Sequence, residues 1–167
     1  GLEAAAQSLF RMERYQEAVP YLKRLMALDP EDLGHEMRLA EAYMEQARYG
    51  MAVPLLKNVV RRAPSEQRAF RMLAVCYAQQ VMAEEAVSVL ARAASIHGNH
   101  TVRPWVALEE MDPIRQDPLF LGFLQSGNRP LEMEEEEERR ARGGAPEQLL
   151  QRKSDDDIFR EMMNGRR

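Results

Sequence analysis

The 167-residue sequence predicts an all-α fold of stacked antiparallel helical hairpins. Three observations predict it. The chain is self-similar at a period of 34 residues: Ala18, Ala52 and Ala86 share the interval, as do Leu22, Leu56 and Leu90, and Pro30 and Pro64. Inside each period, apolar residues recur at helical spacing. Breaks and prolines then punctuate the periodic stretches where helices have to stop.

The first repeat covers about residues 1–32, the second 33–66 and the third 67–99. The runs Leu39–Gln46 and Met72–Gln80 each read as the first helix of a hairpin. A break at Arg48-Tyr49-Gly50 precedes a second helix running to Ala63-Pro64. Small side chains at Ala40, Ala52, Ala74 and Ala86 let two helices approach closely, while Tyr43, Leu56, Tyr77 and Leu90 fill the space around them. Asp29 and Ser65 read as turn and cap residues. Pro20 and Pro54 fall early in the second helices, where a missing N–H costs least.

Residues 101–128 form an altered fourth unit, with apolar patterns at Trp105–Met111 and Asp117–Ser126. A repeat stack needs a different last element to cover its open end, so Trp105, Phe120 and Phe123 are expected to seal it. Residues 129–167 form a charged tail in which 11 acids and 9 bases occupy 39 positions. Five consecutive glutamates, Glu134 to Glu138, precede Arg139, Arg140 and Arg142, the order that suits a helix dipole. A short amphipathic helix at about 155–164 gathers Ile158, Phe159, Met162 and Met163 on one face. A helix of two turns does not persist alone in water, so this face is expected to dock on a surface.

Leu39-Ala40 with Tyr43, repeated as Leu73-Ala74 with Tyr77, then Ala52 with Leu56, Ala86 with Leu90, and the prolines Pro30 and Pro64, resemble the tetratricopeptide repeat. The resemblance covers about residues 1–100 and implies a right-handed superhelix with a concave face lined by the first helix of each hairpin. Carried over by register, that lining includes Glu3, Gln7, Met37, Arg38, Glu41, Met44, Glu45, Arg68, Arg71, Met72 and Val75. The methionines suit an adaptable apolar contact, and the arginines suit a carboxylate. The large aromatic that often opens a repeat is replaced by Glu36 and Phe70. Family members that grip chaperone tails use a Lys and an Asn one turn apart; here those places hold Glu3 and Gln7, Met37 and Glu41, and Arg71 and Val75. That binding mode is not expected.

The expected function is therefore a non-enzymatic scaffold that binds a peptide or helix of a partner protein on Met37, Arg38, Glu41, Met44, Glu45, Arg68, Arg71, Met72 and Val75. Two other settings stay open. One is a repeat domain of a larger regulatory or secretion-related protein that recruits a small GTPase or an assembly component. The other is an accessory domain of an enzyme whose catalytic part lies outside this chain. Docking of the tail on the chain's own repeats, and self-association through the first repeat, are further expectations.

Several classes are read out by composition. One cysteine, Cys76, permits no intrachain disulfide and no multi-cysteine metal site, and its apolar surroundings make it a small core residue. His97 and His100 flank Gly98-Asn99 without a third ligand nearby in sequence, which reads as a joint rather than a metal site. No phosphate-cradling glycine loop or nucleophile elbow occurs, so no catalytic residue and no cofactor are expected. Residues 1–128 carry 16 acids against 14 bases, without the basic stripe that holds nucleic acid. No apolar run reaches the roughly 20 residues of a membrane span. A cytoplasmic location is expected. The chain opens Gly1-Leu2 inside a helix pattern, which reads as a piece of a longer or processed polypeptide.

Overall fold

The computed structural model of the chain describes residues 1–128, 135–143 and 159–165. It divides into two units, Gly1–Arg129 and Pro130–Arg167.

Six helices of the first unit follow the 34-residue period. They are α1 (Leu2–Arg11) with α2 (Tyr15–Leu28), α3 (Leu33–Glu45) with α4 (Tyr49–Arg62), and α5 (Gln67–Gln79) with α6 (Ala83–His97). Each pair packs together, and α2 on α3 and α4 on α5 join one hairpin to the next. The repeated residues explain why. Ala18, Ala52 and Ala86 and Leu22, Leu56 and Leu90 are all fully buried, and Tyr43 and Tyr77 are nearly so. An alanine at the crossing keeps the axes close, and the leucine one turn later removes its whole side chain from water, worth about 1.5–3 kcal/mol each.

The turn inside each hairpin repeats to the residue. Glu13, Ala47 and Val81 have φ of 56°, 56° and 59°, in the left-handed region. The N–H groups of Arg14, Arg48 and Met82 then donate to the carbonyls of Leu9, Tyr43 and Tyr77 at 2.9, 2.8 and 2.9 Å. This closes each first helix with a Schellman motif in which no glycine takes part. Val81 is β-branched and meets the steric penalty in full, about 1–2 kcal/mol. Its side chain is exposed, so nothing is lost by removing it. Val81→Gly is expected to raise stability by about 0.5–1 kcal/mol once the greater freedom of unfolded glycine is subtracted. A urea midpoint that falls instead would contradict the left-handed assignment.

Asp29 and Ser65 stand at a helix end and in a turn, and one local expectation, that for the prolines, is corrected. The residue that caps α3 is Asp32, whose Oδ1 accepts from the Gly34 N–H at 2.8 Å, while Asp29 closes α2. Glu66, next to Ser65, stands at the N-cap of α5 without a side-chain bond. Pro20 and Pro54 lie at the sixth residue of α2 and α4, beyond the first turn, so each removes an interior hydrogen bond.

The histidine pair lies at a joint between helices. His97 Nε2 donates to the Pro64 carbonyl at 2.9 Å, and its ring meets Phe70 edge-on at 5.7 Å. Gly98, with φ 91° and ψ 155°, turns the chain from α6 into α7 (Asn99–Val106), a conformation almost confined to glycine.

The fourth unit departs from a helical hairpin. After α7 the chain forms a 3₁₀ turn at Glu109–Ile114, then α8 (Pro118–Phe123), then a wide turn over Leu124–Asn128. Glu109-Glu110-Met111, expected to continue a helix from Trp105, belongs to the 3₁₀ turn. Pro113 and Pro118 explain the breakage, and Asp117 restarts the helix by accepting the Leu119 N–H at 2.9 Å. The 3₁₀ turn packs on α5, and α7 and α8 pack on α6. Trp105, Phe120 and Phe123 are buried there.

In the second unit, residues 135–143 form α9 and residues 159–164 form α10. Arg140 meets Glu136 at 2.6 Å and Arg142 meets Glu138 at 3.4 Å along α9, one turn apart as the sequence order requires. Phe159, Met162 and Met163 of α10 are exposed. Ile158 and the first part of the expected 155–164 helix lie outside the described residues.

Candidate interaction surface

The first helices of the hairpins, α1, α3 and α5, carry the residues expected to meet a partner. Spacing of three and four along a helix puts side chains on one face, so Arg38, Glu41 and Glu45 share a strip of α3, and Arg68 and Arg71 share one of α5. The two strips touch: Arg68 Nη2 stands 3.1 Å from Glu41 Oε2. Glu45, Arg68 and Arg71 are exposed, and Arg38, Glu41 and Met44 are half-buried. Glu3 and Gln7 of α1 are exposed as well.

Three expected contact residues are corrected by burial. Met37, Met72 and Val75 retain 9, 6 and 7% of their surface, too little to receive a ligand side chain. For α5 the physical reason is the fourth unit. Its 3₁₀ turn packs against α5 with Met111 and Ile114 buried, and Gln79 Nε2 donates to the Glu110 carbonyl at 2.6 Å beside them. The inner face of α5 is thereby partly roofed, leaving its N-terminal half, with Arg68 and Arg71, open.

Sequence reasoning missed an aromatic pair between α1 and α2. Tyr15, at the start of α2, packs its ring at 85° against Phe10 with centroids 5.2 Å apart. Its hydroxyl pKa is raised, first by desolvation and then by the negative charges of Glu45, Glu13 and Glu41. Tyr15 begins α2, the helix that packs on α3. Tyr49 stands one repeat later, and nothing in the sequence points to the charged neighbours of Tyr15.

Other candidate chemistry resolves as packing. Cys76 is fully buried in α5, and burial pushes its thiol up to about 12, far from the thiolate that a nucleophile needs. Among the described residues, no group of three or more His, Cys, Asp or Glu side chains is placed to hold a metal ion. Among the same residues, no helix is long and apolar enough to cross a membrane.

Comparison with known proteins agrees with the repeated helical hairpins of the fold. The family model for anaphase-promoting complex, cyclosome, subunit 3 matches residues 11–93, from the end of α1 through most of α6. No curated protein sequence matches the chain. Among solved structures, YrrB, described as a TPR protein with an unusual peptide-binding site, is similar at 18% identity, with a TM-score of 0.57 over 75% of this chain and 65% of that one. MamA from Desulfovibrio magneticus RS-1 is similar at 18% identity, with a TM-score of 0.54 over 75% of each chain. The type III secretion translocator chaperone SycD of Yersinia enterocolitica is similar at 17% identity, with a TM-score of 0.52 over 75% of this chain and 80% of that one. Such identities speak to fold alone. With its 34-residue period, paired helices and repeated closing turns, the chain is a tetratricopeptide-repeat protein by fold.

Proposed function

We propose that the protein is a non-catalytic scaffold whose α1/α3/α5 face binds a peptide or helix of a partner protein, with Arg38, Arg68 and Arg71 receiving a carboxylate. The observation that carries this reading is the Arg68–Glu41 pair across α3 and α5. Both partners keep access to solvent, and an ion pair of that kind is worth about 0–1 kcal/mol. An incoming carboxylate can take Glu41's place on Arg68 at little cost and gain Arg71, one turn along, as a second donor. Glu41, released, joins Glu45 as a site for a basic side chain. The face thus reads a sequence of charges.

Repeat stacking supports the same use. Each hairpin is held by its neighbours, so side chains on successive helices keep fixed spacing without a bound ligand. The peptide-binding site in YrrB's description and the chaperone role in SycD's fit a scaffold reading at the level of the fold.

The test uses the full chain and an array of peptides carrying an internal or C-terminal carboxylate. Peptides that bind should lose at least tenfold in affinity to an Arg38→Glu, Arg68→Glu, Arg71→Glu variant with an unchanged helical spectrum. Unchanged affinity for every binder would remove this face from the function.

A further inference from the structure

One concavity is lined by none of the residues of the Arg38, Glu41, Arg68 and Arg71 strip. Helices α4 and α6 both pack on α5, and between them lies a groove of about 840 Å³. Such a volume falls within the range that binding pockets occupy, roughly 300–1,000 Å³. Its floor is α5, where Phe70, Leu73 and Tyr77 are already nearly fully buried, and Pro54 and Val89 on the walls keep accessible apolar surface. Its acids and arginines lie toward different ends, and Lys57, partway along α4, adds a further cation. Glu84 and Glu85 stand in the first turn of α6, while Arg61 and Arg92 line the end toward which α4 and α6 run. The Arg92 guanidinium carbon lies 5.7 Å from the Phe70 ring centroid, and Arg61 donates to Asn58 Oδ1 at 2.6 Å. Both arginines are exposed.

We propose that this groove docks a short helix of a partner protein, laid antiparallel to α4 and α6, led by carboxylates and trailed by basic residues, with an apolar side chain on its buried face. Direction follows from two terms with the same sign. The partner's N-terminus meets the C-terminal ends of α4 and α6, where the helix dipoles attract. Its leading carboxylates meet Arg61 and Arg92, and its trailing bases meet Glu84 and Glu85. An apolar side chain in the middle covers Pro54 of α4 and Val89 of α6 on the groove walls, adding burial without a sense of direction. Reversing the helix turns both directional terms unfavourable, so the groove selects an orientation as well as a composition.

This chain's residues 154–167, SDDDIFREMMNGRR, have the required order and supply a probe of the right chemistry.

The experiment measures binding of a fluorescent synthetic peptide of residues 154–167 to the full chain by polarisation. The peptide is expected to bind, and the same residues in reversed order to bind at least tenfold more weakly. An Arg61→Glu, Arg92→Glu variant, checked for an unchanged helical spectrum, should lose at least tenfold. The Arg38→Glu, Arg68→Glu, Arg71→Glu variant should stay within about twofold, which separates this groove from the α1/α3/α5 face. Absence of binding, indifference to peptide direction, or loss only in the latter variant would overturn the proposal. So would at least tenfold tighter binding by a Phe159→Ala, Met162→Ala, Met163→Ala chain, because the protein's own tail would then be the occupant.

Discussion

Leu56→Ala is expected to destabilise the repeat unit by about 3 kcal/mol, within the 2–5 kcal/mol seen when a buried leucine is truncated. Leu56 has no exposed surface, and its helix packs on both α3 and α5. Collapse around the missing atoms is blocked on both sides. Ala40, Ala52 and Ala74 already bring the neighbouring helices close, and each is fully buried. The cavity term therefore adds to the lost transfer energy instead of relaxing away. In a stack stabilised by nearest-neighbour interfaces, damage to the middle hairpin also weakens its coupling to both others. A single substitution thus takes a large part of the roughly 5–15 kcal/mol that holds an ordinary domain. Urea melts followed by far-ultraviolet circular dichroism check it, with Leu28→Ala as control. Leu28 is 69% exposed and its truncation should cost less than about 0.5 kcal/mol. If the two variants melt together, Leu56 is not the packing centre of the second hairpin.

The sequence made the six regular helices legible because their packing repeats. A residue needed at every crossing, such as Ala18, Ala52 and Ala86, has to recur, and recurrence is visible without coordinates. The turns were less legible. Glycine is the usual sign of a left-handed closing residue, and Glu13, Ala47 and Val81 give none. Asp29 is a cap as read, at the end of α2, but which residue caps α3 was not legible, and only backbone direction chooses Asp32. The largest gaps lie where the period ends. The 3₁₀ turn over α5 has no counterpart in the earlier repeats, so register could not show that Met72 and Val75 would be covered. The groove between α4 and α6 was missed for a different reason. Phe70 and Tyr77 look like ordinary core residues, which they are, and only the placement of Arg61, Arg92, Glu84 and Glu85 around them makes a surface.

Phe120→Ala is expected to loosen the end of the stack, at a local cost of about 3–5 kcal/mol for a fully buried aromatic. Phe120 lies in α8, which packs on α6, and α8 has only six residues with which to hold itself there. The regular hairpins do not depend on it in the same way, since α5 and α6 pack on each other. Loss of Phe120 should therefore release the fourth unit before the repeats unfold. The chain carries its own reporter, because its single tryptophan, Trp105, is buried in α7 of that unit. In urea the tryptophan fluorescence transition of Phe120→Ala should move to lower denaturant than the dichroism transition, which α1–α6 dominate. Coincident transitions would mean that the fourth unit and the repeats fold as one. The release has a consequence for binding. When the 3₁₀ turn leaves α5, Met72 and Val75 lose the roof over them, and the apolar contacts expected from register become available beside Arg68 and Arg71. A carboxylate peptide with an apolar residue two or three positions from its acid should then bind Phe120→Ala more tightly than wild type, whereas a purely polar peptide should not distinguish them. The fourth unit would set which side chains the α1/α3/α5 face can admit.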